Sequence, residues 1–220
     1  MDEIIIEKCE HNFVKSVCDT ILSESIKSIK NKGFFTLVLS GGNTPVTIFK
    51  KLIDSYADKV QWDKTHFFWL DERCVSPKNN NSNFKNANDF LISKLKKIGS
   101  INRIEGELAP AIAAEKYEKR INKFFNYQVN FDFVMIGMGL DGHIASIFPN
   151  ETLMSTNQIV FNTDDKHENT FRVSLSLSAI KNIKYRLLIL KGNEKLKILN
   201  CNSNKKPVHL VNYSSIIMLK

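Results

Sequence analysis

The stretch FDFVMIGMGLDGH, residues 131–143, decides the fold of this 220-residue chain. Its first six residues are apolar apart from one aspartate, which predicts a strand covered on both faces. The strand leads into a loop with three glycines. A tight turn needs the glycines, but it does not need the Asp141 carboxylate and the His143 imidazole beside each other. We therefore expect a buried strand that delivers two reactive groups to its carboxyl end.

Short apolar runs alternate with amphipathic helical patterns through the rest of the chain. The predicted strands are Ile4–Ile6, Phe34–Leu39, His66–Leu70, Phe131–Ile136, Phe171–Leu175, Tyr185–Leu190 and Val208–Val211. The predicted helices are His11–Lys30, Pro45–Tyr56, Phe84–Ile98, Pro110–Phe125 and Asn193–Asn200. Because helical crossovers return the chain to the same end of a sheet, the strands should pair in parallel. We predict one doubly wound α/β domain over residues 1–220, Rossmann-like, with a mostly parallel sheet and helices on both faces.

Composition and charge narrow the function classes. The net charge is +8, but the lysines are scattered among acids and no arginine-rich tract occurs, so no specific nucleic-acid partner is expected. A basic surface also attracts small anions. The four cysteines have no paired or metal-like spacing and predict free thiols in a reducing compartment. With no secretory pattern and no run of bilayer length, the sequence predicts a cytoplasmic protein without membrane association.

In a doubly wound sheet, ligands bind beyond the carboxyl ends of the strands. The loops expected to carry function are those after Leu39, Leu70, Ile136, Leu175 and Leu190. The segment after Pro207 carries no predicted site.

The stretch SGGNTP, residues 40–45, follows a predicted strand and opens a helix. Gly41 and Gly42 let the backbone approach a ligand closely, and Asn43 or Thr44 can cap the helix. The first N–H groups of the helix then suit a phosphate. The stretch fits neither a nucleotide P-loop nor a dinucleotide fingerprint. A tight turn with a threonine cap explains the same residues equally well.

Two further groups of charged residues fall at the same edge of the predicted sheet. Asp71 and Arg73 follow the strand FFWL, where Arg73 could clamp an anionic oxygen and Asp71 could bind a sugar hydroxyl or orient a base. Arg172 begins the run RVSLS, and Lys195 lies on the first turn of a helix, where it could reach a phosphate held by SGGNTP. Surface solvation, or a local ion pair at residues 71–73, is the plainer explanation of each.

Histidine side chains can act as general bases near neutral pH, which makes His143 a candidate. An isolated histidine is more often structural, but this one shares its loop with Asp141. No second histidine or cysteine lies at ligand spacing, so neither a metal nor another cofactor is expected. Ser146 is close in sequence, but the chain lacks the GxSxG elbow of serine hydrolases. Water activated by His143 needs fewer assumptions than a serine nucleophile.

In this order, the motifs resemble the 6-phosphogluconolactonase family, within a superfamily that includes glucosamine-6-phosphate isomerase/deaminase. The resemblance runs from Leu37 to Lys195 through SGGNTP, FFWLDERCVSPKNNNSNF, RIEGELAPAIAAEKYE, FDFVMIGMGLDGHIASIFP, RVSLSLSAI and KGNEK. Phe148 stands where the isomerase type has a glutamate, and Arg73 stands where it favours tyrosine. Both differences favour the lactonase. Asn43 replaces a frequent serine, and Asn83 matches the family's Ser-Asn pair.

The resemblance implies hydrolysis of 6-phospho-D-glucono-1,5-lactone in the oxidative pentose phosphate pathway. The backbone of residues 41–44 would bind the substrate phosphate, neutralised by Arg172 and Lys195. His143 would activate water, Asp141 would orient the imidazole or the substrate, and Arg73 would stabilise the carbonyl oxygen. The alternatives are glucosamine-6-phosphate deamination and a non-catalytic sugar-phosphate-binding module. A monomer or a weak homo-oligomer is expected.

Overall fold

The computed structural model describes residues 3–149, 158–201 and 206–220. The strands are β1 (Glu3–Glu7), β2 (Phe35–Leu39), β3 (Thr65–Trp69), β4 (Asp71–Arg73), β5 (Ser100–Asn102), β6 (Phe133–Ile136), β7 (Val160–Asn162), β8 (Arg172–Leu175), β9 (Tyr185–Lys191) and β10 (Ser215–Leu219). The α-helices are α1 (Glu10–Lys32), α2 (Asn43–Tyr56), α3 (Asn83–Phe90), α4 (Pro110–Phe124), α5 (Leu177–Lys181) and α6 (Asn193–Leu199).

Seven strands form one sheet in the order β1–β10–β9–β6–β2–β3–β5, and every neighbouring pair in it is parallel. Strands β4, β8 and β7 form a second, antiparallel sheet. The predicted α/β class with a mostly parallel sheet is confirmed. All residues of β2 and β6 are buried, as expected for central strands covered on both faces.

A buried polar pair joins the two central strands. The Asp132 carboxylate accepts hydrogen bonds of 2.9 Å from both the backbone N–H and the hydroxyl of Thr36, and Lys32 lies 2.8 Å from it. In return the N–H of Asp132 donates to the Thr36 hydroxyl oxygen at 2.8 Å. Because its partners satisfy the aspartate, the single charge in FDFVMI is compatible with a core strand.

The order of the strands reverses between β2 and β6. From β2 the chain continues to β3 on one side, whereas from β6 it continues to β9 on the other. Open α/β sheets bind ligands at such a switch point, outside the carboxyl ends of the strands. The turn SGGNTP follows β2 and the loop GMGLDGH follows β6, so the fold places both predicted motifs at this position.

The structure corrects three predicted elements. Residues Pro207–Leu210 form a 3₁₀ helix instead of the strand predicted at Val208–Val211, because Pro207 opens a helical turn and the apolar side chains only pack inward. The last strand is β10, which inserts between β1 and β9. The helix predicted at Phe84–Ile98 ends at Phe90, where Leu91 leaves helical backbone geometry and a 3₁₀ turn follows.

The third correction concerns the predicted strand Phe171–Leu175. It forms β8 of the antiparallel sheet, so the loop after Leu175 does not lie at a carboxyl end of the parallel sheet. Arg172 at its start pairs in register with Arg73 of β4.

Candidate functional site

A cavity of about 230 Å³ lies at the carboxyl ends of β2 and β6. Its lining includes the turn 40–45, Asp71, Arg73, His143 and Lys195. Residues that are up to 155 positions apart in the sequence therefore meet in one pocket. Its volume is below the range of roughly 300–1,000 Å³ for pockets of drug-sized ligands, so it suits a small molecule.

The turn after β2 presents a helix N-terminus to this cavity. Helix α2 begins at Asn43, with Gly42 in the N-cap position at φ 96° and ψ −179°. No side chain caps the helix, and its first turn contains no acidic residue. The prediction that Asn43 or Thr44 caps the helix is therefore wrong. The first backbone N–H groups of α2 lie at the positive end of the helix dipole, which is a suitable place for an anion.

Gly41 touches a buried side chain that the sequence analysis noted only as part of a motif. A Cβ atom on Gly41 would lie 1.8 Å from Oδ1 of Asn83. Asn83 is 2% exposed, and its Nδ2 donates to the backbone oxygen of Asp71 at 2.9 Å and to its Oδ1 at 3.2 Å. Asn83 therefore connects the turn after β2 with the aspartate that follows β3.

Asp71 is held from its other side by Ser146. The Ser146 hydroxyl donates to Asp71 Oδ2 at 2.7 Å, and the N–H of Ser146 donates to the Ser174 hydroxyl at 3.3 Å. Ser146 is 1% exposed and does not line the cavity. Its hydroxyl is therefore out of reach of a substrate, which is unfavourable for a nucleophile.

Glu72 fixes the loop that carries Asn83. Its carboxylate accepts from the backbone N–H groups of Arg73, Asn83 and Phe84 at 2.7–2.8 Å and from the Ser82 hydroxyl at 2.9 Å. Burial raises the pKa of Glu72 to about 7, and the four donors act against that shift. With every donor aimed at the carboxylate, Glu72 serves the structure of the loop and does not line the cavity.

His143 and Asp141 form a direct pair. The Nδ1 atom of His143 lies 2.6 Å from Oδ1 of Asp141, which also accepts the backbone N–H of His143 at 3.1 Å. Burial acts to raise the pKa of Asp141, but the contacts with His143 outweigh it and lower that pKa. Because an ionised carboxylate only accepts hydrogen bonds, Nδ1 carries the proton, which leaves the lone pair of the neutral ring on Nε2.

One aromatic ring contacts the ring of His143. The Phe148 ring lies 4.7 Å from it, centroid to centroid, and the opposite neighbour of Phe148 is His167, stacked at 3.5 Å with an interplanar angle of 8°. The residue that occupies the position of the isomerase glutamate therefore supplies an apolar surface beside the imidazole instead of a second acid.

The three predicted cationic side chains, Arg73, Arg172 and Lys195, do not all line the same cavity. Arg73 and Lys195 line the cavity, and burial lowers the pKa of Lys195. Among residues 3–149, 158–201 and 206–220, no carboxylate lies within ion-pair distance of Lys195. Arg172 does not line this cavity; it is 3% exposed and reaches an adjoining one, which it shares with Arg73. The antiparallel pairing of β8 with β4 causes this, because it places Arg172 beside Arg73 and not beside the turn after β2.

The C-terminal segment supports the loop of His143. The backbone N–H of Val208 donates to the oxygen of Gly142 at 3.1 Å, and a Cβ on Gly142 would lie 2.7 Å from the Lys206 side chain. Neither Lys206 nor Val208 lines the cavity. The segment therefore has a structural contact with the site, although the sequence predicted no site there.

Three further features concern the cysteines, the possible metal ligands and the lengths of the helices. All four cysteines are free thiols. Within the described part of the chain, no cluster of three or more histidine, cysteine, aspartate or glutamate side chains could hold a metal ion. The described helices also include none that is long and apolar enough to cross a membrane.

A parallel α/β sheet whose strand ends bring a helix N-terminus, a lysine and a histidine to one cavity is typical of an enzyme domain suited to a small anionic substrate. The chain belongs to the family described as glucosamine-6-phosphate isomerases/6-phosphogluconolactonase, which matches residues 9–217.

The chain is also similar to individual named proteins. The chain is 34% identical to 6-phosphogluconolactonase of Thermotoga maritima over 89% of its own length and 87% of that protein. A crystal structure of 6-phosphogluconolactonase from the same organism covers 99% of both chains with a TM-score of 0.85 and 30% identity. The chain is also 31% identical to the chloroplastic 6-phosphogluconolactonase 3 of Arabidopsis thaliana, over 84% of this chain and 61% of that longer protein.

Proposed function

We propose that this protein is a hydrolase that converts 6-phospho-D-glucono-1,5-lactone to 6-phospho-D-gluconate, a step of the oxidative pentose phosphate pathway. The names of its relatives and its family support this activity. The observation that carries the proposal is the 2.6 Å contact between Nδ1 of His143 and the carboxylate of Asp141, made by a histidine that lines the cavity.

The phosphate of the substrate binds to the backbone N–H groups of residues 41–44. Lys195 neutralises part of its charge within the cavity, and Arg172 adds positive potential from the adjoining one. An anchored phosphate fixes the position of the lactone carbonyl at the other end of the sugar, which removes much of the entropic cost of the reaction.

The chemistry needs one proton relay. Nε2 of His143 takes a proton from water as the water oxygen attacks C1, and Arg73 stabilises the negative charge that develops on the carbonyl oxygen. The bond between C1 and the ring oxygen then breaks, and His143 returns the proton to the ring oxygen. Asp141 holds the imidazole in the required tautomer, while Asp71, fixed by Ser146 and Asn83, binds a sugar hydroxyl.

Our proposal also covers the cofactor requirement, the domain organisation, the location and the partners of the protein. The reaction as written needs no metal and no cofactor. We propose a single domain over residues 1–220 that acts in the cytoplasm as a monomer or a weak homo-oligomer, with no specific nucleic-acid partner and no membrane association.

The direct test generates the lactone in place with a sugar-phosphate dehydrogenase and follows its disappearance with and without the protein. Acceleration above spontaneous hydrolysis is expected. The same protein should release no ammonia from glucosamine-6-phosphate. Ammonia release without lactone hydrolysis would instead favour the deaminase, and phosphate binding without either reaction would favour a non-catalytic binding module.

Replacing Lys195 with alanine should raise KM for the lactone by about tenfold and change kcat little, because a partly buried charge-assisted contact to phosphate is lost. Steady-state kinetics over a range of lactone concentrations measures both constants. Lys197→Ala, on the same helix, is the matched control because Lys197 does not line the cavity. A fall in kcat alone for the Lys195 variant would remove Lys195 from the phosphate site.

Replacing Ser146 with alanine separates a positioning role from a nucleophilic one. We expect kcat to fall by less than about tenfold, because Asp71 loses one of its hydrogen-bond donors and stays held by Asn83. Loss of a true nucleophile costs on the order of a thousandfold or more. Single-turnover assays on the alanine variant measure the difference, and a loss of that larger size would reinstate Ser146 as the attacking group.

A further inference from the structure

A glutamate at the tip of a hairpin contacts both arginines of the site. The carboxylate of Glu168 lies 3.0 Å from Nη2 of Arg172 and 3.8 Å from Nη2 of Arg73. These groups line a second cavity of about 350 Å³, together with Asn81 and Thr170. Arg73 also lines the first cavity, so the two cavities share one wall.

The two arginines need a counter-anion. They are paired directly across β4 and β8, and the side chain of Arg172 is 4% exposed. Burial lowers the pKa of Arg172 and the neighbouring charge of Arg73 lowers it further, whereas Asp71 and Glu168 act to raise it. Both guanidinium groups lie within 4 Å of the Glu168 carboxylate, and an anion in this position relieves the repulsion between them. Glu168 supplies this carboxylate from a side chain that is 81% exposed.

The backbone conformation at Glu168 is also unusual. His167 and Thr170 exchange two backbone hydrogen bonds, of 2.9 and 3.1 Å, around a two-residue turn. Both turn residues have positive φ, 51° at Glu168 and 64° at Asn169. Asparagine tolerates this conformation well, whereas glutamate does not favour it. A glutamate is therefore kept in an unfavourable conformation at the position from which its carboxylate meets both arginines.

We propose that Glu168 is an internal counter-anion for Arg73 and Arg172 that lowers the positive potential these arginines add beside residues 41–44, so that Glu168 weakens phosphate binding. This inference rests on the proposed function, because it takes a phosphate monoester as the ligand of the site. Glu168 thereby sets the concentration range in which the protein binds its substrate, without touching the reacting atoms.

The test compares phosphate binding by the wild-type protein and two variants. Glu168→Gln removes the charge and keeps the strained backbone, whereas Glu168→Gly removes both. Inorganic phosphate is titrated by thermal shift without substrate and as a competitive inhibitor of lactone hydrolysis. We expect both variants to bind phosphate roughly two- to fivefold more tightly, and KM for the lactone to fall by a similar factor, in line with the modest energies of exposed ion pairs.

Salt and a distant charge provide the controls. The gain in affinity should shrink as potassium chloride is raised from low concentration to about 0.5 M, since exposed charges are screened. Glu115→Gln changes the net charge equally on an exposed helix face and should have no effect. Unchanged or weaker phosphate binding in Glu168→Gln would overturn the inference, and so would a gain confined to Glu168→Gly. Tighter phosphate binding by Glu168→Gln in a protein without lactonase activity would keep this inference and refute the proposed function.

Discussion

Replacing His143 with alanine is expected to lower kcat by about two to four orders of magnitude, the usual contribution of a general base, while KM changes little. The proposed phosphate contacts lie on other loops, so we expect substrate binding to survive the loss of the imidazole. The measurement is a fast assay of lactone disappearance, corrected for spontaneous hydrolysis, at several substrate concentrations. An unchanged kcat would remove His143 from the mechanism.

Asp141→Asn is the informative companion variant. The asparagine can turn its amide N–H₂ towards Nδ1 of His143, which favours the tautomer with the proton on Nε2 and takes away the lone pair that accepts the proton. We therefore expect kcat to fall by at least about tenfold although the ring stays in place. A variant with normal kcat would mean that Asp141 only shapes the loop.

The sequence was sufficient to predict where the main motifs lie, because each motif directly follows the end of a strand. The turn after β2 and the loop after β6 each follow a run that is apolar apart from one residue, and their order along the chain is enough to bring them to one edge of a parallel sheet. The pair of His143 and Asp141 is also local, two residues apart, and its contact follows from the loop itself. Patterns of this kind are visible in a single sequence.

The contacts that position Asp71 could not be predicted in this way. Asn83 and Ser146 reach the same carboxylate from 12 and 75 residues away, and neither has a pattern that indicates which side chain it meets. The location of Arg172 depends likewise on antiparallel pairing of two very short strands, for which four residues provide almost no periodic signal. In both cases the contact depends on which elements lie next to each other in three dimensions. Only the folded chain shows that.

Gly41→Ala is expected to lower kcat/KM by about ten- to a hundredfold. The added methyl group would lie 1.8, 2.2 and 2.7 Å from the Oδ1, Cγ and Nδ2 atoms of Asn83. Asn83 is buried and hydrogen-bonded to Asp71, so it cannot turn aside without moving that carboxylate or the turn after β2, the proposed phosphate site. Such overpacking typically costs about 1–3 kcal/mol, and each 1.4 kcal/mol corresponds to a factor of ten.

Double substitution identifies the cause of that loss. Asn83→Ala removes all three atoms that the new methyl group would meet, and it lowers activity by itself because Asp71 loses a donor. If the contact with Asn83 is the reason why residue 41 must be glycine, Gly41→Ala should cost little in the Asn83→Ala background. Gly42→Ala serves as the contrast: a Cβ there has no atom within 4 Å, but φ is 96°, so its cost comes from the backbone and should be the same in both backgrounds. Measuring kcat/KM and the free energy of unfolding in urea for all six proteins separates the two effects. A loss for Gly41→Ala that is equal in both backgrounds would show that Asn83 does not link the turn after β2 to Asp71.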